Sequence, residues 1–151
     1  MNDTSDTDII DTSAFPTREY RISLTVGAHS PRHVRRILRE LLRLWGLARV
    51  EDAAALVVTE LLVNVYRHVP DRRCIVTVRR HEDAAAGVVI GVRDAHPVLP
   101  GPQAPGPYAV GGRGLALVAA VADKWGVEQD DRDGEGPQRT GGKTVWCELR
   151  A

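Results

Sequence analysis

Apolar side chains recur along the chain at two spacings, one typical of strands and the other typical of helices. Over residues 18–26 apolar and polar positions alternate, which predicts a half-buried strand. Over residues 30–46 apolar positions return every three or four residues, which predicts an amphipathic helix. Ser30 is expected to cap this helix, with Pro31 in its first turn and Gly46 at its end.

A second helix is predicted over residues 51–67. Its sequence is apolar almost all the way round and is interrupted only by Thr59, Glu60 and Asn64, which indicates a segment buried on most sides. A third, short helix is predicted over residues 115–121. Four more segments have the composition of strands, and they cover residues 74–80, 88–93, 125–128 and 144–149.

The remaining segments are predicted to lack regular structure. Residues 1–17 are rich in aspartate and have little to bury, so a loose acidic tail is expected there. Residues 97–112 combine five prolines with four glycines, which predicts a long loop of the kind that is usually functional or disordered. The order of elements predicts a single α+β domain over residues 18–151. We expect a two-layer sandwich, with a mixed, mostly antiparallel sheet and its helices on one face.

Composition narrows the classes of function. The chain has 151 residues, of which 43% are hydrophobic, and twenty basic residues balance twenty acidic ones. Without surplus positive charge, direct nucleic-acid binding is a weak hypothesis. The longest apolar run is far shorter than the roughly 18 residues of a membrane span, and the N-terminus does not resemble a signal peptide. Cys74 and Cys147 lack metal or redox spacing, which predicts buried free thiols and a cytoplasmic protein.

Three polar residues of the second helix stand four positions apart. Glu60, Asn64 and His68 therefore project from one side of that helix. A buried carboxylate needs a cation, hydrogen-bond donors or a solvent-filled cavity, so this strip is interpreted as the lining of a pocket. Alternatively, this edge of the helix simply reaches the surface, and spacing alone does not decide between the two.

Two further segments are candidates for chemistry. Residues 111–114 (GGRG) precede a helix, where backbone N–H groups and the helix dipole favour a phosphate, although a hinge would have the same composition. The segment lacks the third glycine of a dinucleotide-binding loop. Residues 142–144 (GKT) end like a Walker loop, but Pro137 stands where its first glycine belongs. Asp94 follows an apolar strand and could accept from an amine or cap a turn.

In this order, the segments resemble the motif boxes of the GHKL superfamily, which includes gyrase-type ATPases and the catalytic domains of sensor histidine kinases. Residues 60–68 (ELLVNVYRH) resemble the N box of the anti-sigma-factor serine/threonine kinases. Asp94 with Pro97 resembles their G1 box, residues 112–118 (GRGLALV) their G2 box, and residues 142–149 (GKTVWCEL) their terminal strand. Four motifs in order are far more specific than any one of them.

The resemblance implies a Bergerat fold that binds ATP with Mg²⁺. It implies that Glu60 is catalytic and orients or deprotonates the attacking hydroxyl, while Asn64 holds the metal. It implies a lid over residues 97–112. The nucleotide-binding residues that it implies are Asn64, His68, Asp94 for the adenine amine, Thr144 for the adenine edge, Gly112 and Gly114 for the phosphates, Arg113, Pro97 and Leu115.

The function implied is that of an anti-sigma factor. Such a protein binds a sigma factor and acts as a serine/threonine kinase on an anti-anti-sigma partner with a STAS domain; a homodimer is compatible with this. Arg32 and Arg36, on the polar side of the first helix, are candidates to receive an acidic partner. The alternative is a non-catalytic ATP-binding switch that sequesters a regulatory partner. Ala95 and His96 stand where many members of the superfamily carry glycines, which predicts a differently shaped adenine pocket.

Overall fold

The computed structural model describes residues 7–10, 18–81, 87–96, 115–130 and 141–151. The predicted helices and strands are all present, with bounds that differ from the predicted ones by at most two residues. The elements are strand β1 (Thr7–Ile10), β2 (Glu19–Thr25), helix α1 (Ser30–Leu44), a 3-10 turn (Ala48–Val50), α2 (Glu51–His68), β3 (Arg73–Arg80), β4 (Gly87–Asp94), α3 (residues 115–121), β5 (Lys124–Gln129) and β6 (Lys143–Arg150).

The strands form one six-stranded sheet in the order β1-β2-β3-β4-β6-β5. Helix α2 packs on β4 and β6, and α1 packs on α2, which gives the predicted two-layer α+β sandwich. All five strand pairings are antiparallel. The expectation of a mixed sheet is therefore wrong for the strands that the structure describes, because each strand runs opposite to its neighbours in the sheet.

Strand β1 lies within the segment that was expected to be a loose tail. Thr7–Ile10 pairs antiparallel with β2, and Ile9 stands opposite Ile22. Without this pairing β2 would be an edge strand with a row of open backbone donors and acceptors. Aspartate is depleted in strands, which explains why the composition of this segment gave no indication of one.

The core lies between the sheet and the two long helices. It is built from the apolar faces of the strands and from the side of α2 that carries Val58, Leu61 and Leu62. The two cysteines are free and buried, as predicted, and burial raises the pKa of both thiols to about 12. In the part of the chain that the structure describes, no helix is long and apolar enough to cross a membrane.

The two ends of helix α1 have different hydrogen-bonding arrangements. Its predicted cap is wrong, because the Ser30 hydroxyl accepts from the backbone N–H of Gly27 (2.8 Å) and bonds to no N–H of the first turn. Its predicted end is confirmed. Gly46 has a φ of +75°, the Gly46 N–H donates to the carbonyl of Arg43, and the Leu47 N–H donates to that of Leu42. These two bonds form a Schellman motif, which favours glycine at the left-handed position.

We expect Gly46→Ala to lower the free energy of unfolding by about 1 kcal/mol. An alanine Cβ would meet no atom within 4 Å, so the loss would come from the left-handed backbone alone. Gly46→Asn is the matched control, since asparagine tolerates this conformation better and should lose less. Urea unfolding of the three proteins measures the difference. Equal losses for alanine and asparagine would contradict the backbone explanation.

Candidate functional site

The polar strip of α2 lies along one edge of the helix. Glu60, Asn64 and His68 are all partly exposed, whereas Leu61 and Val65 beside them are buried in the core. The strip therefore neither projects fully into solvent nor lies sealed in the interior. This is the placement expected of residues at the margin of a binding cleft.

A small cleft lies between the C-terminal half of α2 and the adjoining ends of β4 and β6. Its polar groups come from Asn64 and His68 of α2, Asp94 of β4 and Lys143 of β6. Glu60 is one helical turn away from Asn64 and does not line it. The rest of the wall is apolar and consists of Leu61, Val65, Val69, Val92 and Val145.

Asp94 and Lys143 form a buried ion pair in this cleft. They stand directly opposite each other in the pairing of β4 with β6, and their side chains are only 4% and 5% exposed. The Lys143 Nζ donates to Asp94 Oδ1 at 2.9 Å and to the His96 carbonyl at 3.0 Å. The His96 N–H also donates to Asp94 Oδ1, at 2.8 Å. Asp94 thus caps a turn and binds a cation at the same time.

Lys143, which was not predicted as a site residue, lines the cleft, whereas its predicted neighbour Thr144 does not. Side chains on a strand alternate between faces, and Val145 and Cys147 of β6 are buried in the core. Lys143 shares their face, while Thr144 lies on the opposite, open face of the sheet together with Trp146. The Thr144 side chain therefore does not line the cleft, and its predicted role at the adenine edge stays a prediction. The alternation of apolar residues in β6 was the signal that could have found Lys143.

The environment of the cleft favours neutral histidine. Burial lowers the pKa of the His68 imidazole, and the positive charges of Arg67 and Lys143 lower it further. The cleft also holds one carboxylate and one ammonium, which form an ion pair and compensate each other. An additional cationic ligand would find no net negative charge there.

The cleft is too small for a nucleotide base as it stands. Its volume is about 20 Å³, which is the space of roughly one water molecule. The donors and acceptors suit a base, since one carboxylate lies at the end of an apolar wall. The Lys143 side chain lies against that carboxylate and takes up part of the cleft.

Several predicted site residues cannot be placed. Pro97, Gly112, Arg113 and Gly114, like the predicted lid over residues 97–112, lie outside the described residues. Leu115 begins the described part of α3 and is buried in the core. Among the residues that the structure describes, no group of three or more His, Cys, Asp or Glu side chains could hold a metal ion. A Mg²⁺ ion at Asn64 would therefore need most of its ligands from a bound phosphate chain and water.

Four of the five arginines of α1 divide into two groups. Arg39 and Arg43 bind Glu51 at the start of α2, with N···O distances of 2.9 Å. Their hydrogen bonds lower the pKa of the Glu51 carboxyl to about 2, and Arg43 contributes more than Arg39. Arg32 and Arg36 are exposed, and the one hydrogen bond of Arg32 within the described part of the chain is to His29 Nδ1, at 3.0 Å. The charge that a partner could meet is thus concentrated at the N-terminal end of α1.

Comparison with known proteins extends this picture. Residues 27–145 match the family described as histidine kinase-like ATPase domain. An uncharacterized protein of Streptomyces coelicolor, SCO4941, is 42% identical over 74 residues, which are 47% of this chain and 69% of that protein. One chain of the crystal structure of the SiaB-SiaC complex from Pseudomonas aeruginosa has a similar fold, with a TM-score of 0.63, 11% identity, and coverage of 85% of this chain and 88% of that chain. At such low identity this likeness concerns the fold alone.

Proposed function

The chain belongs to the family of histidine kinase-like ATPase domains, and from this premise we propose that it is an ATP-binding anti-sigma factor and protein serine/threonine kinase. Its substrate in this proposal is a serine of an anti-anti-sigma partner with a STAS domain. Membership of the family implies ATP binding, usually with Mg²⁺. The kinase activity and the partners are the parts that we propose.

The observation that carries the proposal is the position of Asp94. Once the cleft has enlarged, this carboxylate would accept a hydrogen bond from the exocyclic amine of adenine, and the valines of the cleft would pack on the ring. Asn64 lines the same cleft from α2, so a nucleotide whose base reached Asp94 would place its phosphates along the polar strip. One site thus combines a residue of the predicted N box, Asn64, with a residue of the predicted G1 box, Asp94.

The side chains of α2 supply the proposed chemistry. Asn64 offers an amide oxygen to Mg²⁺, which neutralises phosphate charge when it is bound. Glu60, one turn away and partly exposed, accepts the proton of the serine hydroxyl as its oxygen bonds to the γ-phosphorus and ADP leaves. The products of this step are ADP and a phosphoserine.

Two observations bear on the partner. The similar chain of known structure comes from a complex of two proteins, SiaB and SiaC. In this chain, Arg32 and Arg36 are exposed cations that no described carboxylate neutralises. They suit a partner whose docking surface is acidic. The alternative, a non-catalytic ATP-dependent switch, is favoured by the absence of Glu60 from the lining of the cleft.

Thermal unfolding with nucleotide tests the site. At an ATP concentration about a hundred times its Kd, binding stabilises the folded state by about 2.7 kcal/mol, and we expect Tm to rise by roughly 5–10 °C. Asn64→Ala should lose most of the part of this shift that depends on Mg²⁺, because it removes the amide oxygen.

Repeating the measurement with ATP and a chelator provides the control. In the wild type, withdrawal of Mg²⁺ should reduce the shift, whereas in Asn64→Ala it should change little. A wild-type Tm that does not respond to millimolar Mg-ATP would reject the proposed function. An equal response to Mg²⁺ in both proteins would remove Asn64 from the metal site.

A further inference from the structure

We propose that Lys143 guards the base pocket, because its side chain lines the cleft that the base must enter and its ammonium group neutralises the Asp94 carboxylate that the amine of the base would bind. Nucleotide would then bind only by displacing Lys143 from Asp94. This inference rests on the proposed function, since it assumes that Asp94 receives the base. It adds a residue that controls affinity for a purine with an exocyclic amine.

The contacts of Lys143 support this role. Its Nζ has two acceptors, Asp94 Oδ1 and the His96 carbonyl, and the side chain is almost completely buried. The same Asp94 oxygen also accepts from the His96 N–H. An incoming amine therefore meets a carboxylate whose Oδ1 already has two donors and whose charge is already balanced by one of them.

The volume of the cleft gives a second, independent indication. About 20 Å³ holds roughly one water molecule and excludes a purine. Of the polar residues that line the cleft, Lys143 has the longest and most flexible stem. In this proposal its ammonium moves away from Asp94, and the pairing of β6 with β4 stays as it is. Displacement of this one side chain both frees Asp94 and enlarges the pocket.

Competition between the Lys143 ammonium and the base amine for Asp94 lowers the affinity of the wild type for ATP. In the wild type, binding exchanges an ammonium–carboxylate bond for an amine–carboxylate bond, so part of the binding free energy is spent on breaking the ion pair. Lys143→Met keeps an unbranched side chain of similar length but removes the charge. Asp94 then lacks this donor before binding and gains the base amine on binding. A hydrogen bond to a charged group contributes enough that the variant should bind ATP about tenfold more tightly.

Isothermal titration calorimetry with Mg-ATP measures this effect as a dissociation constant. We expect Lys143→Met to lower Kd about tenfold, and Lys143→Gln, which can still donate to Asp94 but without charge, to lower it less. Lys143→Gln also keeps the inference testable if the methionine variant does not fold. The matched control is Lys124→Met, because Lys124 is the other lysine of the chain and is exposed on β5.

Purine riboside triphosphate, which lacks the exocyclic amine, provides the second arm. If the amine and Lys143 compete for Asp94, preference for ATP over this analogue should increase in Lys143→Met. Unchanged or weaker ATP binding in both Lys143 variants, with a wild type that binds ATP, would overturn the guard role alone. Failure of the wild type and of every variant to bind ATP would instead reject the proposed function, and the guard role with it.

Discussion

Asp94→Ala is expected to lower the free energy of unfolding by about 3–5 kcal/mol, because it leaves the Lys143 ammonium buried without its counter-charge. The two side chains are 4% and 5% exposed, so water cannot replace the lost carboxylate without entry into the cleft. The His96 carbonyl remains as an acceptor but carries no full charge. A loss of this size is a large fraction of the stability of a domain of this length.

A double-mutant cycle in urea separates the ion pair from other effects. Asp94→Ala combined with Lys143→Met removes both charges, and we expect it to recover much of the loss caused by Asp94→Ala alone. Asp130→Ala is the control, because Asp130 pairs with Arg93 on the open face of the sheet, where the arginine is 45% exposed. That exposed pair should contribute no more than about 1 kcal/mol.

Salt distinguishes the two pairs further. The effect of Asp94→Ala should change little between low and high ionic strength, whereas the small effect of Asp130→Ala should diminish as exposed charges are screened. If Asp94→Ala costs no more than Asp130→Ala, the Asp94–Lys143 pair is not held in a low-dielectric environment. The displacement of Lys143 would then cost too little to control nucleotide affinity.

The elements of this fold could be predicted because their signals are local. The helical spacing of apolar residues and the glycine at position 46 define α1 within one stretch of chain, and alternation defines β2 and β3. Each of these signals involves residues fewer than five positions apart. The strip of Glu60, Asn64 and His68 belongs to the same class, since the helix alone brings its members together.

The parts that could not be predicted depend on distant pairing. Asp94 and Lys143 are 49 residues apart, and only the register of β4 with β6 places them face to face. In the sequence, Lys143 looked like part of an incomplete phosphate loop. Strand β1 was missed for a related reason, because its backbone bonds to β2 leave little trace in its own composition.

Ala95 and His96 stand where many members of the superfamily carry glycines, and the structure shows what the turn that contains them does. Non-glycine residues after Asp94 predicted a differently shaped pocket, without indicating its shape. In the structure, the His96 N–H binds Asp94 and the His96 carbonyl binds Lys143, so the backbone of this turn holds both members of the ion pair. The unusual turn and the missed lysine are therefore two parts of one arrangement.

Glu60→Gln should reduce phosphoryl transfer by roughly 10²- to 10⁴-fold, the usual contribution of a positioned general base. Glutamine keeps the shape of the side chain but cannot accept the proton of the serine hydroxyl. Because Glu60 does not line the cleft that contains Asp94, Kd for Mg-ATP should stay within about twofold of wild type if the lost interaction forms mainly in the transition state.

The assay follows radiolabelled γ-phosphate from Mg-ATP to serine of a purified STAS-domain protein. Glu40→Gln is the matched control, since Glu40 is an exposed glutamate on α1 and its substitution makes the same change in charge. A Glu60→Gln protein that binds ATP and transfers phosphate at the wild-type rate would exclude Glu60 as the base. A wild type that binds Mg-ATP and a partner without transferring phosphate would establish the non-catalytic switch instead, with Glu60 retained on α2 for another reason.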